Sequence, residues 1–450
     1  MNKNSRLNDF IKNPQKALFT LSVPMMLGMS VQAIYMLIDT AFIGRWVGGS
    51  ALAGLGIVFP PMFIIMGITF GLGSGATTVI AQSIGQEDKQ KADNSAEHII
   101  MLGLFLSIFF ILIGIFFGEY IINSQTSDIL VSQNASDYFY TMLWGTPFMI
   151  LSIFFRSILS GEGDNMMPMK VLGLGTLINL ILDPFFIYYF SIKGAALATV
   201  ISQATVFMIF IYLMIIKDRT YISLDLNNFK FNSKIFLNIL KVGVPASLSM
   251  LIMSIGLFFY NIILNNTDFS SSAIAAYSTC HRIEHLFFIP IISLATSMVT
   301  LIGMFYGAKK FNLLNDLINF SIKVSVIISI IYSLFFLMFS ENILQLFTKD
   351  KKIIEIGVGH FNIFAFAIPF ISIAMNCSRA MQGLGKAYPM FIITCLRVII
   401  ISCLLSYYFI NILDKPIHFA WISILISCIC SAFISFIWLI NIKQKLINQN

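Results

Sequence analysis

From residue 17 onward, long apolar stretches alternate with short polar or turn-forming segments. Twelve are readable, near 17–43, 52–83, 98–122, 136–159, 169–190, 194–216, 235–264, 273–306, 317–340, 354–381, 388–411 and 418–441. A helix rises 1.5 Å per residue, so about 20 apolar residues cross a hydrocarbon core. The pattern therefore predicts an all-α polytopic membrane protein with twelve transmembrane helices. Several stretches exceed that length, which implies tilt, bends or ends that project from the bilayer.

The two halves of the pattern repeat. Val23-Pro24 returns as Val244-Pro245, Ala51-Leu52-Ala53 as Ala273-Ile274-Ala275, and Gly85 as Gly307. The run from Pro147-Phe148 to Gly161-x-Gly163 returns as Pro369-Phe370 to Gly383-x-Gly385, and Pro168-Met169 as Pro389-Met390. The offset stays at 221–222 residues. Six spans per half is an even number, so both repeats share one orientation. The expectation is two pseudo-symmetric six-helix bundles around a central cavity, related by an axis along the membrane normal. The lobes are placed at 1–216 and 235–450, with a cytoplasmic linker at 217–234. That is the anatomy of a transporter.

Composition agrees with the pattern. Of 450 residues, 58% are apolar and 11% charged, against about 25% charged in soluble domains. No stretch is left over for a soluble catalytic domain, and no enzyme is expected. The net charge of +7 does not suggest nucleic acid, because no aromatic-basic module accompanies it. It fits cationic loops instead. With the amino terminus inside, inward segments hold roughly eighteen Lys and Arg, including Lys3, Arg6, Lys89 and Lys309, against about six outside. Both termini are therefore expected in the cytoplasm, in a plasma (inner) membrane. Residues 1–15 run into a full-length span without a small-residue cleavage site, so no signal peptide is read. The six cysteines show neither a secreted framework nor zinc spacing.

Candidate chemistry is confined to a few polar residues inside apolar spans. Asp39 lies near the far end of the first span, with Tyr35 four residues earlier on the same face. A carboxylate facing lipid costs roughly 2.5–3.5 kcal/mol, so a protein-lined, wetted surrounding is expected. The fifth span carries Asn179-x-x-x-Asp183-Pro184, and the sixth carries Thr199 and Gln203, again four apart. Pro24, Pro184 and Pro245 are the expected kinks. Two carboxylates in a poorly solvated place disfavour joint ionisation. They can hold a proton, or bind Na⁺ with help from the oxygens of Asn179 and Thr199; no other metal and no organic cofactor is expected. A lipophilic organic cation would compete for the same charge. In the eighth span, Arg282 and Glu284 form a secondary candidate, read as a structural pair, a relay or a substrate contact.

Several of these residues fall in familiar motifs. The segment 37–44, Asn179-x-x-x-Asp183-Pro184, Gly194-Ala195-Ala196-x-Ala198-Thr199 and Arg156 to Gly161-x-Gly163 resemble the MATE (multidrug and toxic compound extrusion) family, and its DinF-like branch in particular. The resemblance implies a V-shaped pair of six-helix bundles. It also implies export of cationic, lipophilic compounds in exchange for H⁺ or Na⁺. By the family pattern Tyr35, Asp39, Asn179, Asp183 and Thr199 form the coupling site. NorM-like relatives carry an acid in the seventh helix, where this chain reads Pro245 to Ser254 without one. Small organic cations and the lipid bilayer are the expected partners, with the monomer as the working unit. The alternative is a flippase for a lipid-linked oligosaccharide or other amphiphile. It would need cationic residues to meet a pyrophosphate.

Overall fold

The computed structural model describes residues 6–267 and 270–447. Lys3, counted above among the inward cations, lies outside the described residues. A short helix, Leu7–Lys12, leads into α1 (Pro14–Trp46), α2 (Gly49–Gly85), α3 (Lys89–Asn123) and α4 (Ile129–Gly161). The run Met166–Ile211, continued by a π-helical turn Tyr212–Ile216, is broken at Ser191 with φ 57° and ψ −139°. The break divides it into α5 (166–190) and α6 (192–216). The chain continues through α7 (Ser233–Asn265), α8 (Ser270–Gly307), α9 (Phe311–Gln345), α10 (Lys351–Gly383), α11 (Tyr388–Ile412) and α12 (His418–Ile447). Among the described residues, 11 helical runs are long and apolar enough to cross a membrane. The break at Ser191 makes two spans of the longest, and twelve in all. Helices extend beyond the apolar stretches because polar residues at their ends continue the turn and supply caps.

The chain divides into two compact units. The first is formed chiefly by Val23–Gly243, the second by Asp9–Ser22 together with the chain from Val244 onward. Both divisions fall one residue before a repeated proline, Pro24 or Pro245. Pro24, Pro184 and Pro245 each lie inside a continuous helical run. The change of direction between α5 and α6 comes instead at Ser191.

The repeat is visible in backbone detail. Asp128 caps α4 by accepting from the Leu130 and Val131 amides at 2.9 and 3.1 Å. Asp350, 222 residues later, caps α10 through the Lys352 and Ile353 amides at 2.8 and 3.3 Å. Each caps an otherwise unsatisfied helix start. Glu87 and Lys309 share a left-handed backbone, with φ 60° and 57°, after α2 and α8. Gly163 and Gly385 do the same after α4 and α10, with φ 84° and 78°. There the absence of a Cβ removes the usual penalty.

Small residues let the helices approach. A Cβ added at Gly103 or Gly114 of α3 would stand within 3.0 Å of Phe154 or Leu143 of α4. In the second unit Ser321 donates to Asn376 at 2.7 Å, and Ser333 to the Ala365 carbonyl at 2.6 Å, joining α9 to α10. Such contacts hold helices together where lipid removes the hydrophobic drive.

The polar segment after α6 is docked on the first unit. The amides of Ile222, Ser223 and Asp225 donate to Glu162, Asp93 and Glu97 at 3.1, 2.9 and 3.2 Å. The Asn232 amide donates to Nε2 of His98 at 2.9 Å. Lys89, counted above among the inward cations, bonds Asp93 at 2.6 Å and Ser223 at 3.2 Å.

Candidate functional site

Three helices of the first unit bring the predicted polar set together. Asn179 and Asp183, one turn apart on α5, are both buried, with exposures of 3% and 0%. Asn179 Nδ2 donates to Asp183 Oδ1 at 3.1 Å. From α1, the Asp39 carboxyl lies within hydrogen-bonding reach of the Asp183 carboxyl. Tyr35, one turn before Asp39, lies within hydrogen-bonding reach of the Thr199 side chain of α6. The Thr199 hydroxyl donates to the Ala195 carbonyl at 3.0 Å, so its lone pairs are free to accept from Tyr35. Sequence spacing placed each pair on one face of its own helix; the break at Ser191 folds α6 back so that Thr199 reaches α1.

The oxygens of this cluster are short of donors. Asp39 Oδ1, Asn179 Oδ1 and Asp183 Oδ2 are buried and accept no hydrogen bond. Gln203 Oε1, one turn beyond Thr199, is in the same condition, and Gln203 makes no described bond to the acid pair. Among the described residues, neither carboxyl forms an ion pair with a basic side chain. Buried acceptors left bare cost about 1–3 kcal/mol each, and a bare buried charge costs more. The arrangement is suited to a small cation: a proton between the carboxyls, or an ion ligated by oxygen alone. Hard cations take such all-oxygen donor sets. No group of three or more His, Cys, Asp or Glu able to hold a metal occurs among the described residues.

Sequence reasoning missed Tyr138. This α4 residue lies close enough to act on both Asp39 and Asp183. Its neighbours Asn134 and Asp137 made the start of α4 unusually polar for a span, which was the available signal. The second candidate region is arranged differently from its sequence reading. Glu284 pairs with His360 of α10, Oε1 to Nε2 at 2.6 Å, while its chain neighbour Arg282 is exposed. His360 went unremarked because it stands alone between apolar residues of α10. An intramembrane ionisable group is itself a signal.

The chain is similar to known proteins over most of its length. The MatE family model matches twice, over residues 24–185 and 245–408, one match per repeat. The probable multidrug resistance protein YoeA of Bacillus subtilis is 25% identical over 81% of this chain and 80% of its own length. The probable multidrug resistance protein NorM of Thermotoga maritima is 23% identical over 98% and 96%. The multidrug export protein MepA of Staphylococcus aureus is 25% identical over 89% and 88%. Among solved structures, a MOP superfamily transporter from Pyrococcus furiosus superposes with a TM-score of 0.94 at 29% identity, covering 99% of both chains. An outward-facing multidrug resistance MATE transporter gives 0.92 at 29% identity over 97% of both. Two matches in register with the internal repeat, covering most of the chain, place it in one family: the protein belongs to the MATE transporters.

Proposed function

We propose that this chain is a secondary active antiporter. It exports cationic, lipophilic drugs or toxic organic compounds in exchange for H⁺ or Na⁺ by alternating access. The coupling ion sits at Asp39 and Asp183, supported by Asn179, Tyr35 and Thr199, and Tyr138 completes the ring of oxygens. The observation that carries this reading is the trio of buried oxygens on Asp39, Asn179 and Asp183 that accept from no donor. The relatives' names as multidrug exporters support the substrate class. A flippase for a pyrophosphate-linked lipid would need cations where this site has carboxylates.

In this reading the ion and the organic cation compete for one pair of charges. Occupation by the ion favours one conformation and occupation by the drug the other. A full population reversal needs a differential of about 5.5 kcal/mol, comparable to the several kcal/mol that an uncompensated buried charge costs. The repeated prolines Pro24 and Pro245 mark where α1 and α7 can bend. The protein works as a monomer in the plasma membrane, with both termini cytoplasmic. The lobes are 1–216 and 235–450, joined by a linker at 217–234.

The test is ethidium efflux from proteoliposomes under an imposed pH or Na⁺ gradient. The proposal expects efflux that follows one gradient and collapses when it is dissipated. Equal efflux with no gradient at all would overturn it.

A further inference from the structure

We propose that the second unit carries a proton-binding site of its own, in which Glu284 and His360 share one proton that enters and leaves through His281. This goes beyond the coupling site assigned to the first unit. His360 is 1% exposed and Glu284 7%. They meet at 2.6 Å, Nε2 to Oε1. The second carboxylate oxygen, Oε2, lies 3.8 Å from Nδ1 of His281, one helical turn back on α8. The His281 side chain is 46% exposed. The three groups thus form a line from the interior to the surface.

The buried end of the line is incomplete. Nδ1 of His360 has no hydrogen-bond partner. Its ring is enclosed by other rings: Trp421 perpendicular at 4.6 Å, Phe364 stacked at 5.3 Å and Tyr277 edge-on at 5.9 Å. Buried polar atoms ordinarily have a partner, so a bare Nδ1 in this place calls for an explanation. With one proton the pair is imidazolium beside carboxylate, or imidazole beside carboxylic acid, and neutral either way. Without it, one negative charge remains; Arg397 of α11 acts on Tyr277 and Cys428, two residues on which Glu284 also acts. The other titratable groups acting on this cluster are Tyr277, Cys280 and His285 of α8, Cys403 of α11 and Cys428 of α12. Tyr260 of α7 abuts Tyr277 at 4.9 Å. None of them is a second carboxylate, so the charge at stake is that of Glu284 alone.

The repeat supplies an independent reason. His360 is the residue 222 positions after Tyr138, and Asp39 falls opposite Tyr260 or Asn261, 221 or 222 positions on. The position that sets Tyr138 beside the acid pair in the first unit sets His360 beside Glu284 in the second. Asn261 also carries a buried oxygen without a partner. The same framework has thus been given a titratable pair twice, from different residues.

Trp421 supplies the readout, since a protonated imidazole quenches a touching indole. The full-length protein with Trp421 as its sole tryptophan (Trp46→Phe, Trp144→Phe, Trp438→Phe) is titrated between about pH 5 and about pH 9, spanning the histidine range. A one-proton fluorescence transition is expected. Glu284→Gln lowers the apparent proton affinity at least tenfold, His360→Gln abolishes the transition, and Asp39→Asn leaves the midpoint in place. Flat fluorescence, or a transition that survives His360→Gln, overturns the site. If His360→Gln does not fold, the Glu284→Gln shift decides alone, and an unmoved midpoint overturns the site. The exposed His281→Gln keeps the midpoint but slows relaxation after a pH jump several-fold; an unchanged rate overturns the entry route. Because Asp39→Asn abolishes efflux without touching Trp421, failure here and failure of the antiport reading are distinguishable.

Discussion

The acid pair of the first unit and the acid–imidazole pair of the second stand on one repeated framework but are balanced differently. Asp39 and Asp183 face each other with bare oxygens and, among the described residues, no ion pair to a base. Glu284 faces His360 and His281, so its partner is built into the chain. Caps at Asp128 and Asp350, and turns at Gly163 and Gly385, were duplicated faithfully. The charges were not. A cluster that lacks its counter-charge must take one from outside, whereas a cluster that contains it can stay dry and neutral.

The largest expected effect tests the first half of that contrast. Asp183→Asn keeps the hydrogen bond from Asn179, because an amide oxygen replaces the carboxylate oxygen that now accepts it. It removes a buried charge that no base neutralises. Gradient-driven dye efflux should fall about tenfold or more, each tenfold corresponding to about 1.4 kcal/mol of lost discrimination. The unfolding temperature of the purified protein should stay level or rise, as is common when a functional charge is relieved. Retained efflux together with a lower unfolding temperature would make Asp183 a structural residue.

The second unit should respond in the opposite sense. Glu284→Leu strands His360 Nε2 in a buried setting and should destabilise by about 1–3 kcal/mol. Adding His360→Leu should recover part of that loss, because removing both partners is gentler than removing one. The measurement is a double-mutant cycle on thermal unfolding. Additive losses would mean that the 2.6 Å contact is not energetically coupled and would erase the contrast.

Much of this was legible in the sequence because the relevant signals are local. Span positions follow from apolar runs, and the repeat follows from Gly and Pro kept at one offset. Asp39, Asn179 and Asp183 stood out because charge and amide are rare at span depth. What was hidden depends on pairing between distant helices. Tyr138 looks like any interfacial aromatic until α4 is packed beside α1 and α5. His360 is a lone polar letter until α10 meets α8. The boundary between α5 and α6 was local too: the spans read near 169–190 and 194–216 bracket Ser191, whose positive φ ends the helix, while Pro184 keeps a helical φ inside α5.

A smaller effect probes the shared framework rather than the charges. Gly163→Ala and Gly385→Ala each force a side chain into a left-handed backbone and should cost about 1–2 kcal/mol. If the two turns are true counterparts, thermal unfolding of the two variants should shift by similar amounts. A shift confined to one of them would show that the duplicated geometry is not duplicated in energy.

The smallest effect concerns the segment docked after α6. Glu162 is buried and accepts the Ile222 amide. Burial pushes its carboxyl up to about 8, with Asp164 adding to the push, while the Ile222 amide and Arg6 oppose it. The folded arrangement therefore prefers the neutral acid. Its stabilising contribution is complete below the ordinary value of 4.5 and is lost as pH rises through about 8. Limited proteolysis within 217–232 should accelerate as pH rises from 6 to 9, beyond the change in the protease's own rate on an unfolded substrate. Glu162→Gln, neutral at every pH, should abolish that dependence while keeping the amide acceptor. In the second unit Leu384 stands 222 positions after Glu162, so the counterpart position carries no acid. Cleavage between α10 and α11, where Lys386 takes the place of Asp164 at the 222-residue offset, should therefore show no such rise, and an equal rise there would indicate general loosening rather than release of this one segment.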